Sequence, residues 1–125
     1  MADDKSQIGL TAEGSAALSL LIEQGLFGSE GDGYKFGVAY ALGSGLTADP
    51  SAKGYTTKFN AAGGLDRDGS LREIVPLLSG DGAERPYATA ERLADAGLRD
   101  LARRIAQRES LSEILSELTA DGGTE

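Results

Sequence analysis

The sequence predicts a mainly helical protein with one short strand at its front, and three observations carry that expectation. Lys5-Ser6-Gln7-Ile8-Gly9-Leu10 alternates polar and apolar residues, as a half-buried strand does. Thr11 then opens a helical run that ends at Gly25, and Ser29-Glu30-Gly31-Asp32 opens a second. From about Ser70 to Leu118 apolar residues recur at spacings of three and four. The chain divides accordingly into a strand–helix–helix unit over 1–46, a loop with room for a short strand over 47–69, and a helical C-terminal region over 70–125.

The strand, near residues 5–10, reads as too short to pair within its own chain. Its backbone donors and acceptors need pairing, and a second copy would supply it, so a homodimer or larger even assembly is expected. The first helix runs from about Ala12 to Gln24. Thr11 is a good N-cap, Glu13 favours the positive end of the helix dipole, and Ala17, Leu18, Leu21 and Ile22 form an apolar stripe. Gly25 suits the left-handed position that ends a helix.

The second helix is expected from about Glu30 to Leu42, with Ser29 and Asp32 in capping-box positions. Tyr34, Val38, Ala41 and Leu42 make one face. Gly33, Gly37 and Ala41 stand four apart. Each glycine costs about 1 kcal/mol in a helix relative to alanine. Close approach of another helix explains them; a poor helix rescued by packing is the alternative.

Tyr55–Asn60 has β-type residues and reads as a short strand or an extended arm. The third helix begins near Asp68 or Ser70 and reaches about Leu78, with Leu71, Ile74, Val75 and Leu78 inward and Pro76 kinking or shortening it. The fourth runs from about Arg85 or Pro86 to Gln107, with Tyr87, Ala90, Ala94, Leu98, Leu101 and Ile105 inward and Arg92, Asp95, Arg99 and Arg103 largely outside that stripe. A final helix over about 110–118 is capped by Ser110 with Glu113, and 121–125 reads as a frayed tail.

Composition narrows the chemistry. The 125 residues make one domain the default. There is no Cys, His or Trp, which removes disulfides, the common zinc, haem and iron–sulfur ligand sets, and the usual general base. The net charge of −8 opposes nucleic acid at long range. Solubility, salt adaptation or a basic partner would each account for it. The basic residues gather late, at Arg99, Arg103, Arg104 and Arg108. The acidic start and the absence of a long apolar run point to a cytoplasmic protein without a signal peptide or membrane span.

Ile8-Gly9-Leu10-Thr11 entering one helix, and Gly25-Leu26-Phe27-Gly28-Ser29-Glu30-Gly31-Asp32-Gly33-Tyr34 entering the next, resemble the ribbon-helix-helix superfamily of Arc- and methionine-repressor-like proteins. The resemblance covers 5–46, about a third of the chain. It implies that two chains pair their strands into a ribbon that enters the DNA major groove. Gln7 would then read a base, Lys5 would strengthen binding to any sequence, and amides at Ser29, Glu30 and Gly31 would hold a phosphate. Ile8, Leu10, Gly33, Gly37 and Ala41 would form the dimer interface. Gly9, which can read no base, departs from the family's usual polar or basic residues. A ribbon used only for dimerisation is the alternative. The compact helical entry is also faintly similar to the small DndE proteins of DNA phosphorothioation clusters, although the aromatic and cysteine residues associated with their second helix are absent.

Other motifs read as structure. Glu30 and Asp32 would repel a phosphate at the second helix, where an ordinary N-cap suffices. The late arginines fit i,i+4 pairing on a solvated face. Asp66-Arg67-Asp68-Gly69-Ser70 starts like a calcium loop but lacks its later carboxylates, so it reads as a capping turn. No nucleotide fingerprint or acid–base pair emerges. The expectation is a non-enzymatic, DNA-associated regulatory or accessory protein without cofactor or metal. The alternative is an adaptor or antitoxin-like protein that binds another protein through its C-terminal helices.

Overall fold

A computed structural model of the chain describes residues 4–47, 53–79, 84–110 and 112–117. The expectations for Leu111, Leu118 and the 121–125 tail lie outside them. The fold is mainly helical with one two-stranded sheet. The order is β1 (Gln7–Leu10), α1 (Ala12–Glu23), α2 (Glu30–Ser44), β2 (Thr56–Asn60), a π-helical turn (Ala61–Leu65), α3 (Ser70–Leu78) and α4 (Pro86–Ala106), and 112–117 are again helical. No helix among the described residues is long and apolar enough to cross a membrane.

Local chemistry sets the helix ends. Thr11 Oγ1 accepts from Gly14 N at 3.1 Å, and Ser29 Oγ accepts from Asp32 N at 3.1 Å, so both predicted N-caps form. Gly25 adopts φ +79° just beyond α1, as a helix-terminating glycine should. Pro86 occupies the first turn of α4, where its missing amide goes unmissed. The cap for that turn comes from far away: Asp4 accepts from Tyr87 N at 2.7 Å and from Ala88 N at 3.0 Å. Ser110 and Glu113 exchange bonds in a complete capping box before 112–117.

One hydrophobic core joins β1, α1, α2, α3 and α4, with Ile8, Leu10, Leu18, Leu21, Tyr34, Leu93, Leu98 and Leu101 fully buried. The close approach signalled by the glycines is real, and the neighbour is α4. A Cβ on Gly37 would lie 2.8 Å from Leu98 Cγ, and one on Gly97 would lie 2.1 Å from Gly37 O. Backbone therefore meets backbone where α2 crosses α4.

The ribbon differs from its expected form. β1 pairs antiparallel with β2 of the same chain, matching Ile8 to Phe59 and Gly9 to Thr57, so Lys58 is the extra residue of a bulge. The opposite edge of β1 is closed by side chains of this chain. Gly9 N donates to Glu91 Oε2 at 2.8 Å, Thr11 N donates to Asp95 Oδ1 at 2.9 Å, and Tyr34 OH donates to Gly9 O at 3.0 Å. The strand therefore has its partner within the chain, and its other edge is occupied at Gly9 and Thr11, which corrects the ribbon as a pairing of two copies of β1. Ile8, Leu10, Gly33, Gly37 and Ala41, assigned to that interface, are all buried in this chain's own core. The strand therefore no longer requires a dimer. Dilution to concentrations where association is negligible should leave the helical circular dichroism intact; its loss would restore the need for a partner copy.

Candidate interaction surface

The residues assigned to DNA do not converge. Lys5 Nζ forms an ion pair with the buried Glu91 carboxylate and lies 5.5 Å from the Tyr55 ring centroid. Gln7 Nε2 donates to Asn60 Oδ1 at 3.4 Å on the exposed side of the ribbon. Ser29 caps α2, Glu30 pairs with Lys58 at 3.4 Å, and Gly31 packs near Leu65. The late arginines are largely spent within the chain: Arg99 lies 3.0 Å from Asp95, Arg103 binds Asp100, and Arg104 binds Glu109 and Glu117.

Asp95 and Glu91 correct the reading of α4. Asp95 was expected off the apolar stripe, yet it is 1 % exposed and Glu91 is 3 % exposed. Both carboxylates face β1 and satisfy its outer backbone groups, and Thr11 Oγ1 adds a second bond to Asp95 Oδ1 at 2.7 Å. Asp66 does similar work for α3, accepting from Leu71 N, Arg72 N and Tyr87 OH. That is the capping turn the sequence indicated. Among the described residues no group of His, Asp or Glu is arranged to hold a metal.

These carboxylates also set the tyrosines. Burial raises Tyr55 to about 12, helped by the charges of Asp95 and Glu91. Burial and the bond to Asp66 raise Tyr87 to about 12. Tyr40 is raised by burial and by its bond to Asp100, and Tyr34 is raised still further, by burial and Glu91. The neutral form is the one the fold favours. This contribution to stability is therefore complete below about pH 10, the pKa of an unfolded tyrosine, and is lost as pH rises toward the folded values. An absorbance titration should find no tyrosine ionising near its ordinary pKa until the fold opens. A tyrosine titrating normally in folded protein would contradict this environment.

What the surface offers instead is apolar. Between α2 and α3 lies an open groove of about 370 Å³. α2 contributes Lys35, Val38, Ala39, Leu42 and Gly43; α3 contributes Leu71, Ile74 and Leu78. Ile74 and Leu78, expected inward, are 45 % and 64 % exposed, and Leu77 beside them is 80 % exposed. Only Leu71 and Val75 anchor α3 in the core. The signal was present in the sequence. Leu71, Ile74, Val75, Leu77 and Leu78 span roughly 160° of the helix circumference at about 100° per residue, wider than a single core-facing stripe requires. Helix α3 continues through Pro76 to Leu78, which keeps these side chains on one rigid element.

A second, more polar hollow of about 430 Å³ adjoins the groove and shares Lys35 with it. Asp32, Lys58 and Asn60 supply its other polar side chains. Lys35 forms no ion pair among the described residues. The Asp68 carboxyl is held below its usual range mainly by its own bonds to Ser70, and the charge of Lys35 adds to this.

Comparison with known proteins gives no match to a family model, to a curated protein or to a solved structure.

Proposed function

We propose that this protein is a non-enzymatic interaction module that docks another protein on the groove between α2 and α3. The observation that carries the reading is the apolar outer face of α3, where Ile74, Leu77 and Leu78 stand exposed on a helix already anchored by Leu71 and Val75. Contiguous apolar surface of this kind marks interaction sites in soluble proteins. Polar residues would serve the isolated fold at least as well there, since surface substitutions usually change stability by about 0.5 kcal/mol or less. DNA association is disfavoured because Lys5 and Lys58, the cations of the ribbon region, are tied to Glu91 and Glu30.

A photoreactive residue replacing Ala39 should crosslink a protein in the producing cells. Ile74→Ser with Leu78→Ser should abolish the crosslink without lowering the melting temperature. The same purified protein should leave duplex DNA unshifted at low salt. Crosslinks that persist in the double variant, or a salt-sensitive DNA shift that Lys5→Ala weakens, would sink this reading in favour of the ribbon.

A further inference from the structure

We infer that the occupant of the groove is an amphipathic α-helix of a partner protein carrying a carboxylate beside its apolar anchors; this rests on the docking role proposed above. Three features select that chemistry. First, the groove is walled by helices, while the sheet offers an extended peptide little. The outer edge of β1 is bonded to α4 and α2, and β2 carries a bulge and a lysine, both of which discourage strand addition. Second, the exposed side of α2 carries Ala39 and Gly43 one turn apart, so a partner backbone can approach it closely. From Lys35 to Gly43 the helix rises about 12 Å, the reach of anchors at i, i+3 or i+4, and i+7.

Third, the groove carries a cation at its rim. Among the described residues lining the groove Lys35 alone is charged, and it forms no ion pair with any of them, in a chain whose net charge is −8. It also borders the neighbouring hollow, where Lys58, paired with Glu30, stands with Asp32. A carboxylate one turn beyond the last anchor would meet Lys35 there. A basic helix would be attracted by the chain as a whole but repelled at this rim, so the local charge decides register rather than overall attraction.

A display library of helix-forming peptides, randomised on the surface, tests this on the full chain. The targets are wild type, Lys35→Glu, and the double variant Ile74→Ser with Leu78→Ser, each confirmed folded by circular dichroism. Wild type should enrich peptides with helically spaced apolar residues and a neighbouring Asp or Glu. Lys35→Glu should weaken those peptides about tenfold, as like charges brought together at an interface do, and a Lys in place of the peptide acid should recover binding. Peptides indifferent to Lys35→Glu but lost on the double variant would overturn the acidic helix and leave groove docking standing. Peptides that bind the double variant equally, or no enrichment on wild type above it, would overturn both. A long-chain fatty acid binding at the groove in place of any peptide would overturn the helix as well.

Discussion

Gly97→Val should leave little folded protein. A Cβ at this position would fall 2.1 Å from Gly37 O and 3.3 Å from Ala41 Cβ, so the obstacle is the backbone of the facing helix. Side chains can rotate away from an intruder; a helix carbonyl cannot. Overpacking a core usually costs about 1–3 kcal/mol, and a backbone clash belongs at or beyond the upper end. Gly37→Leu meets Leu98 first and should cost less, within that range. Thermal unfolding followed by circular dichroism distinguishes them. A Gly97→Val protein melting like wild type would mean that α2 and α4 do not cross here.

Asp95→Ala should be the most damaging polar substitution, at about 3 kcal/mol. It strips the acceptor from Thr11 N and Thr11 Oγ1 together, and buried donors left unpaired cost about 1–3 kcal/mol each. The loss of a buried charge returns part of this, since Asp95 is desolvated and the Arg99 that faces it is half exposed. Asp95→Asn keeps an acceptor in place and should lose less. Denaturant titration reads both, and equal stability of Asp95→Ala and wild type would remove Asp95 from its role at the strand edge.

The sequence disclosed most where the physics is local. Thr11, Ser29, Gly25 and the Ser110–Glu113 pair act within a few residues of themselves, and each stands where its chemistry placed it. Glu91 and Asp95 were illegible for the opposite reason. On a helix rich in arginine they resemble members of solvent-facing i,i+4 pairs, and only the distant strand shows that they face inward. The glycines of α2 announced a close neighbour but could not identify it, because a second copy and α4 make the same steric demand. Ile74 and Leu78 share a side of α3 with Leu71, as periodicity indicated. How far the core extends around that helix depends on where α2 lies, which periodicity does not contain.

The bonds from Asp4, Gly9 and Thr11 to α4 span 82 to 84 residues of sequence. Contacts so distant along the chain are slow to form, because a large loop must close before they return any energy. During synthesis the first strand emerges long before the helix that satisfies its outer edge. β1 therefore waits, half paired at best, until α4 has left the ribosome. Folding of this protein is expected to finish at its beginning, with the N-terminal segment among the last to become protected from solvent.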